Sequence, residues 1–330
     1  MFDIITFGSA TWDVFLKPKP SSAWQVAKNK KFITGKGICL NLGSKIDVEE
    51  IYFSSGGGGT NTAATFAKQG FRTACCATVG GDLAGKQIIK ELKGFGVDCQ
   101  FIFKTELKPT NHSIILSVAG QDRTILVYRG ASEELNSNQI PWSKIKQAKW
   151  FYLAPLSGKL AKLTQKIVDF GYSNKIKIAF NPGNSQLRLA PKILKRILAR
   201  IDILVLNQEE ASLLTKIPYQ KEKKIFQKID EICPGIAIMT KGKEGVVVSE
   251  GKYLYQARPR KIKVVDRTGA GDSFASGFLS GFIKSGGEVE YGIQLGLANS
   301  MSCLKKIGAK NGLLLENEKF KKIKVLKRKL

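Results

Sequence analysis

The sequence predicts an α/β fold with a mostly parallel sheet that helices cover on both faces. Strand-like and helix-like segments alternate through most of the 330 residues, and a repeated β-then-α order is typical of parallel sheets with crossover helices. Two stretches, 14–54 and 100–129, break this order, because both read as antiparallel strands with turns. We therefore predict a single domain, residues 1–330, whose small β-sheet lid comes from about 14–54 and 100–129.

The elements of the main sheet follow one another in order. The strand DIITFG precedes the first lid stretch, and the helix TNTAATFAKQG, the strand RTACCATVG and the helix GKQIIKELKGFG follow it. The second lid stretch leads to the strand KWFYLAP, the helix KLAKLTQKIVDFGY, the strand KIKIAFNPG and the helix APKILKRILARI. DILVLNQEEASLL runs from strand to helix, GIAIMTKG and GVVVSEGKYLYQARP are strands, and two small-residue helices follow. The basic C-terminal end reads as a final helix or a loose tail. Ligands of such sheets bind at the carboxyl ends of the strands.

The composition excludes several classes of protein. No apolar run reaches the roughly 18 residues that span a bilayer, and the start MFDIITFGSA lacks the basic leader of a signal peptide. The six cysteines form no C-x-x-C pair and there is one histidine, so a zinc cluster or a histidine-based mechanism is disfavoured. Any general base is expected to be a carboxylate. Scattered cysteines predict reduced thiols and a cytoplasmic protein.

The net charge of +26 raises the question of a polyanionic partner. The lysines are spread along the whole chain and are not interleaved with aromatic residues, and no helix-turn-helix, zinc-finger or RNA-recognition signature is present. A solvated lysine-rich surface is the simplest interpretation, and attraction of a phosphorylated ligand is the next. We expect neither a membrane nor a nucleic-acid partner.

Two glycine-rich motifs carry the chemistry. In SSGGGGTNTAATFAKQG, the run 56–59 permits positive φ and close approach of a ligand, and Asn61 offers a donor and an acceptor at the start of a helix. No Gly-Lys-Ser/Thr follows, so the run is not a Walker loop. In VVDRTGAGDSF, the amides of residues 269–272 converge where a helix starts, which favours an anion. A carboxylate there, Asp272, suits phosphoryl transfer, although a plain helix cap is the alternative.

Together the two motifs resemble the signatures of the ribokinase-like sugar kinases of the phosphofructokinase-B (PfkB) family. The glycine-asparagine run resembles the family's N-terminal signature, and DRTGAGDSFASGFLSG resembles its C-terminal one, usually D-T-T-G-A-G-D. The two lie about 210 residues apart and the intermediate motifs occur in order, so the resemblance covers essentially the whole chain. It implies a three-layer α/β/α fold with a β-sheet lid that often pairs subunits as a homodimer.

The resemblance implies a role for each matching residue on the acceptor side. Asp272 corresponds to the catalytic base, and Asp13, in GSATWDV, to the aspartate that binds substrate hydroxyls. The anion hole corresponds to Gly269, Ala270 and Gly271. The glycine loop on the substrate side corresponds to Gly57, Gly58 and Asn61.

The nucleotide side is assigned in the same way, with ATP, Mg²⁺ and K⁺ as the implied ligands. The positions that resemble the nucleotide-binding elements are Asn207, Thr240, Gly242, Gly245 and Asn299. Glu210, in LNQEE, corresponds to the acid near magnesium, which it is expected to reach through water. Asp266 and the segment KKIGAKNG fall where many members bind a monovalent cation.

Each assignment has a purely structural alternative. Asp13 would cap a turn, Glu210 would be a first-turn helix acid, Asn299 a buried polar residue, and Thr240 part of a hairpin turn. Trp12 would stack on a sugar or nucleobase, or pack within the core or the lid.

The chain also departs from ribokinases proper. Thr11 stands where asparagine is common, Gly58 replaces a frequent lysine, and Arg267 replaces a threonine of the second signature. These departures count against ribose itself as the acceptor, not against phosphoryl transfer.

The resulting hypothesis is an ATP-dependent kinase that phosphorylates a hydroxymethyl group of a small carbohydrate. A nucleoside kinase shares this mechanism with another acceptor. A phosphosugar kinase is a third candidate, because Arg123 and Arg129 lie in the second lid stretch. A non-catalytic, nucleic-acid-binding relative is the alternative from a different class.

Overall fold

The computed structural model describes residues 1–19, 25–29, 35–117 and 123–330. Parts of the two predicted lid stretches, 20–24, 30–34 and 118–122, lie outside the described residues. The described strands are β1 (Ile4–Phe7), β2 (Thr11–Pro18), β3 (Gln25–Lys28), β4 (Lys36–Cys39), β5 (Val48–Gly56), β6 (Thr73–Gly80), β7 (Ile102–Thr105), β8 (Asn111–Leu116), β9 (Thr124–Tyr128), β10 (Trp150–Leu153), β11 (Lys177–Phe180), β12 (Ile203–Asn207), β13 (Ile236–Thr240), β14 (Val246–Ser249), β15 (Tyr253–Ala257) and β16 (Leu326–Lys329).

Helices connect most of the parallel strands. They are α1 (Gly58–Lys68), α2 (Leu83–Gly94), α3 (Trp142–Ile145), α4 (Leu163–Ser173), α5 (Asn184–Leu187), α6 (Pro191–Leu198), α7 (Gln208–Thr215), α8 (Glu222–Asp230), α9 (Ala270–Lys284) and α10 (Val289–Cys303). Short 3-10 segments occupy Ala131–Glu134, Gly158–Lys162 and Gly242–Glu244. None of the helices in the described part of the chain is both long and apolar enough to span a membrane.

The main sheet has ten strands within the described residues, in the order β16-β15-β14-β13-β12-β11-β10-β1-β6-β7. The pairs from β7 across to β13 are parallel, and the remaining pairs, out to β16, are antiparallel. Strands β1 and β6 are buried at every position, as expected for strands covered on both faces. The expectation of a helix or a loose tail at the C-terminus was wrong, because β16 extends the sheet beside β15.

The sheet is the middle of three layers. Side chains of one face pack with α4, α6 and α8 into a core that includes Phe7, Phe151 and Ile197. Those of the other face pack with α9 and α10, and Tyr152 and Phe278 belong to that core. Helices α9 and α10 approach closely because Gly296 faces Phe274, and an added Cβ atom at Gly296 would lie 2.9 Å from its carbonyl oxygen.

The lid is a four-stranded sheet in the order β5-β2-β8-β9, so both predicted stretches contribute to it. Two parts of these stretches do not belong to it. Strands β3 and β4 form a separate two-stranded sheet, and β7 pairs with β6 at the edge of the main sheet. The alternation of side chains places Asp13 of β2 on the same lid face as its neighbours Ser54 and Ser113.

Candidate active site

The candidate site lies where the connections of the main sheet change direction. From β1 the chain continues to β6 on one side, whereas β10 lies on the other side. Such a switch point leaves a crevice at the carboxyl ends of the strands. The start of α1 packs directly over the end of β1, where an added Cβ atom at Gly8 would lie 2.5 Å from the backbone nitrogen of Gly59.

The glycine run brings the start of α1 close to Asp272. Gly57 has a φ of 96° and precedes the first residue of α1, Gly58. An added Cβ atom at Gly58 would lie 3.0 Å from Cβ of Ala154, at the end of β10, and 3.7 Å from Oδ1 of Asp272. The two motifs of the sequence therefore meet in space.

Asp272 is the third residue of α9 and does not cap it. Gly269 occupies the N-cap with a φ of 74°, and no side chain caps this helix. The Asp272 carboxylate instead accepts a hydrogen bond of 2.8 Å from Nδ2 of Asn61. Burial raises the pKa of Asp272 above its ordinary value, while the Asn61 bond and the charge of Lys310 act in the opposite direction.

The turn before Asp272 is packed against the protein at Gly269 and has free space beside Gly271. An added Cβ atom at Gly269 would overlap Ala309, so this residue is packed. An added Cβ atom at Gly271 would meet nothing within 4 Å. The first N–H groups of a helix lack intrahelical partners, and the helix dipole favours negative charge beside them. The open side of the 269–272 turn therefore suits an anion.

Asp13 reaches the site from the lid, and it is only 5% exposed. Its carboxylate lies against the backbone of Gly56, where any Cβ atom would overlap it. Burial, as the largest cause, raises the pKa of Asp13 to about 6, against the charge of Lys310 and the hydrogen bond of Ser113. Asp13 thus joins two β strands and a glycine loop, which is more than a turn cap would require.

Lys310 is a site residue that the sequence analysis did not assign. Its side chain is 1% exposed, and its Nζ donates to Oδ1 of Asn61 at 2.8 Å and to the carbonyl of Ser55 at 2.7 Å. The only available signal was its position in KKIGAKNG, between small residues, and this gives no indication of burial.

The residues that the resemblance assigns to the nucleotide lie around the carboxyl ends of β12 and β13. Asn207 caps α7 and accepts from the Glu210 amide, while the Glu210 carboxylate accepts from the Asn207 amide, both at 2.8 Å. Thr240 is the direct neighbour of Asn207 across the two strands. The turn that follows uses Gly242 and Gly245 at φ values of 54° and 101°. The structure therefore brings these five residues to one edge of the sheet.

Glu210 caps α7 and, like Asp272, lies close enough to Tyr152 to affect its pKa. Burial raises the pKa of Glu210, while the Asn207 bond lowers it and the Glu209 charge raises it. Burial also raises the pKa of the Tyr152 phenol, and the charges of Asp272 and Glu210 contribute in the same direction. The two carboxylates therefore act on one buried group at the end of β10. Among the described residues no three metal-ligating side chains cluster.

Two assigned residues are engaged inside the protein. Asn299 is fully buried, and its amide donates to the Ser273 carbonyl and accepts from the Leu314 amide. The structure does not bring its side chain to the cleft. The Asp266 carboxylate accepts from the backbone of Thr268 and from that of Gly308, and it thereby joins the glycine turn to KKIGAKNG.

Trp12 packs within the lid and against the adjoining core. It lies on the lid face opposite to Asp13, because neighbouring residues of a strand alternate. Its ring stacks on Phe53 at a centroid distance of 6.3 Å, and it packs against a core that contains Ala10 and Ala63. Of its two interpretations, packing agrees with this placement.

The fold and the site together define a class of protein. A carboxylate beside an anion-binding helix start, under a β lid at the switch point of an α/β sheet, has the parts of a small-molecule kinase. The chain belongs to the pfkB family of carbohydrate kinases, whose model matches residues 25–316. It is therefore a phosphotransferase that acts on an alcohol group, and the predicted ribokinase-like fold is confirmed.

Individual relatives agree with this assignment. The chain is 26% identical over 250 residues to an uncharacterized sugar kinase of Archaeoglobus fulgidus, covering 75% of this chain and 97% of the relative. It is 27% identical over 237 residues to a nucleoside kinase of Methanothermobacter thermautotrophicus, covering 69% and 72%. The solved structure of Arabidopsis thaliana ribokinase with ribose and ATP has a TM-score of 0.76 at 21% identity, covering 95% and 96%.

Proposed function

We propose that this protein is an ATP-dependent, magnesium-requiring kinase that phosphorylates a hydroxymethyl group of a small carbohydrate. The observation that carries the proposal is the bond of 2.8 Å between Asn61 and Asp272. It holds a half-buried carboxylate at the meeting point of two helix N-termini, α1 and α9. A base for the acceptor hydroxyl and an anion site for the phosphoryl group then lie side by side.

We call the part of the site around Asp272, with Asp13 and residues 57–61 and 269–271, the base end. Its residues divide the reaction between them. Asp13 accepts hydrogen bonds from acceptor hydroxyls, with Gly57, Gly58 and Asn61 forming the floor of the same site. Asp272 takes the proton of the attacking hydroxyl as its oxygen bonds to the γ-phosphorus. The bond from that phosphorus to the bridging oxygen breaks, and ADP leaves with the electron pair. The amides of Gly269, Ala270 and Gly271 stabilise the negative charge on the transferring group.

The other part of the site, with Asn207, Glu210, Thr240, Gly242 and Gly245, is here called the nucleotide end, and it fits ATP and Mg²⁺. Magnesium binds proteins through one or two carboxylates together with waters and phosphates, which matches the half-buried Glu210 better than a closed protein cage. Bound there through water, the ion would neutralise the triphosphate. Thr240, Gly242 and Gly245 would contact the nucleotide. Asn299 would support that site from within α10, and Asp266 would serve a K⁺ site.

The lid has two roles in the proposal. Closure over the acceptor excludes water, which would compete as a phosphoryl acceptor.

We also propose that the outer face of the lid pairs two subunits as a homodimer. That face carries large apolar side chains between 38% and 56% exposed, namely Ile51, Phe53, Ile114, Leu126 and Tyr128. Leu126→Glu should abolish a dimer in sedimentation experiments and Leu83→Glu, on α2, should not; a wild type that stays monomeric at high concentration contradicts the pairing.

The acceptor separates the main proposal from its alternatives. The relative named a nucleoside kinase supports that alternative, whereas the placement of Trp12 away from Asp13 withdraws one argument for it. A phosphosugar kinase would use Arg123 or Arg129. The non-catalytic alternative relies on the +26 charge alone, and binding of random DNA that persists at raised salt would support it.

Cytoplasmic location is proposed from the free cysteines of the described chain.

The deciding experiment is an ADP-release screen over sugars, nucleosides and phosphosugars, with Asp272→Asn as the matched variant. We expect turnover of a sugar, and a loss on the order of 100- to 10,000-fold in the variant with ADP binding unchanged. Absence of turnover with every acceptor, by folded protein that binds ATP, refutes the kinase. A variant as active as the wild type refutes the base, and preference for a nucleoside or a phosphosugar selects that alternative.

A further inference from the structure

Lys310 is a buried cation at the centre of the base end. Its ammonium group has two hydrogen-bond partners in the described chain, the carbonyl oxygen of Ser55 and Oδ1 of Asn61. A buried charge is costly unless it is paired and hydrogen-bonded. A fully buried lysine with two neutral acceptors is therefore an expensive feature, and it stands beside the reacting groups rather than on the surface.

The contact with Lys310 determines which way the Asn61 amide points. An ammonium group is a donor only, so the amide oxygen must face it. The amide nitrogen then faces Asp272, to which it donates at 2.8 Å. Lys310 and the ionised Asp272 therefore favour the same amide orientation, and without Lys310 one of these two constraints is lost. Lys310 thus acts on Asp272 through Asn61.

Charges around Lys310 come from several elements. The carboxylates that interact with it in the described chain are Asp13 of β2, Glu91 of α2 and Asp272 of α9. The thiols of Cys75 and Cys303 also lie near it, but burial raises their pKa values to about 12 and about 11, so both are uncharged at neutral pH. Burial lowers the pKa of Lys310 to about 8, and the carboxylates oppose that effect. In turn, the charge of Lys310 counteracts the raised pKa values of Asp13 and Asp272. At neutral pH the charged lysine favours the ionised form of both carboxylates.

The residues before Lys310 in the sequence fix its position relative to the 269–272 turn. Ala309 packs against Gly269, and Gly308 donates to Asp266 at 2.9 Å. Ser55 lies near the C-terminal end of β5 and bonds through both of its backbone groups. Its amide donates to Glu91 at 3.2 Å, and its carbonyl accepts from Lys310. Residues 308–310 therefore contact the 269–272 turn, here called the anion turn, and the end of β5. Through Asn61 they also act on Asp272.

We propose that Lys310 is a positioning residue for phosphoryl transfer, which orients the Asn61 amide towards Asp272 and places a buried positive charge near the carboxylate that accepts the proton of the acceptor hydroxyl. The inference rests on the proposed function, in which Asp272 is the base. Lys310 acts indirectly, because it is only 1% exposed and two of its three donors are directed to Ser55 and Asn61.

The first test measures the titration of Asp272 directly and needs no acceptor. The probe is protein carrying carbon-13 at the aspartate carboxyl groups, with the Asp272 signal assigned by its loss in Asp272→Asn. We expect Lys310→Met to move the Asp272 titration upward by about one pH unit or more, because it removes both the charge and the orientation of Asn61. Lys310→Gln keeps donors for the two oxygens and removes the charge, so it should fold readily and give a smaller upward shift.

The second measurement connects this shift to catalysis. With the acceptor found in the screen, single-turnover transfer at pH 6 should slow about tenfold or more in Lys310→Met, with ADP affinity within about twofold of wild type. The rate should recover as the pH is raised. Lys284→Met is the matched control, because Lys284 is a partly buried lysine at the opposite end of α9. It should change neither the titration nor the rate.

The outcomes separate the two proposals. An unshifted Asp272 titration in the folded Lys310 variants overturns the inference, and Lys310→Gln alone decides if Lys310→Met does not fold. A shifted titration with an unchanged transfer rate at pH 6 overturns it as well. A chain that turns over no acceptor removes the proposed function and the inference with it, whatever the titration. A shifted titration, a slowed transfer and an inactive Asp272→Asn together support both.

Discussion

The base end and the nucleotide end of the site are built in different ways. At the base end, Asn61 bonds Asp272 across 211 positions of the sequence and Lys310 across 249. At the nucleotide end, Asn207 and Glu210 bond each other across 3 positions, and Thr240 lies beside them in strand register. The base end is therefore a product of tertiary packing, whereas the nucleotide end consists of local motifs.

The difference has an energetic consequence. Burial raises the pKa of Asp13 to about 6 and lowers that of Lys310 to about 8, so both charges oppose folding. The capping box of Asn207 and Glu210 instead satisfies orphan amides and stabilises its helix. We therefore expect substitutions at the base end to change the free energy of unfolding strongly, in either direction. Substitutions that keep the capping box should change it little.

Gly269→Ala should have the largest effect on stability. Alanine is strained at a φ of 74°, and its methyl group would overlap Ala309. We expect the free energy of unfolding, measured by urea denaturation, to fall by about 2–4 kcal/mol. Activity should fall with it, because the anion turn must move away from Ala309.

The control for this substitution is Gly94→Ala, at the end of α2, where a Cβ atom meets nothing within 4 Å. Helix propensity should make it neutral or stabilising by up to about 1 kcal/mol. Equal stability of the two variants would contradict the view that the base end depends on close packing.

Asp13→Asn should stabilise the protein above neutral pH while impairing it as an enzyme. The pKa of Asp13 is raised from 3.8 to about 6 in the folded state, so its ionised form opposes folding at pH 8 and this cost vanishes near pH 4. The shift corresponds to about 3 kcal/mol, reduced by the lost hydrogen bond of Ser113. We expect a gain of about 1–3 kcal/mol in unfolding free energy at pH 8.

The pH dependence is what distinguishes this explanation from improved packing. The gain of Asp13→Asn over wild type should shrink steadily between pH 7 and pH 4, whereas improved packing would give a constant gain. In the wild type, kcat/KM for the acceptor should fall as the pH falls through about 6, because a protonated Asp13 accepts fewer hydrogen bonds.

The same contrast explains what the sequence could predict. The β-then-α order predicted the α/β fold. The glycine run and DRTGAGDSF, through the family resemblance, assigned Asn61 and Asp272 to one site, because motif residues are recognisable at any separation, but the hydrogen bond between them was not predicted. Asn207 and Glu210 were assigned from LNQEE by its resemblance to a family element, and the structure shows that the same spacing forms a capping box. The register of the lid and the pairing of β16 with β15 were not predictable, since strand pairing depends on the partner that the fold supplies.

Lys310 shows the limit most clearly. In a chain with 53 lysines and arginines, one buried lysine has no distinguishing neighbour in the sequence. Its hydrogen-bond partners come from β5 of the lid and from α1, which only the folded chain brings together. Asn299 is the opposite case, because a polar residue in a helix of small residues was assigned to a ligand and is fully buried.

Glu210→Gln should have the smallest effect on stability and isolates the nucleotide end. Glutamine can accept the hydrogen bond from the Asn207 amide, so the capping box remains and the free energy of unfolding should change by less than about 0.5 kcal/mol. Removal of the carboxylate charge should raise the Mg²⁺ concentration for half-maximal activity about tenfold. Glu210→Ala, which also removes the cap, should cost about 1 kcal/mol in addition. If Glu210→Gln destabilised the protein as strongly as Gly269→Ala, the nucleotide end would depend on tertiary packing like the base end, and the contrast between them would be lost.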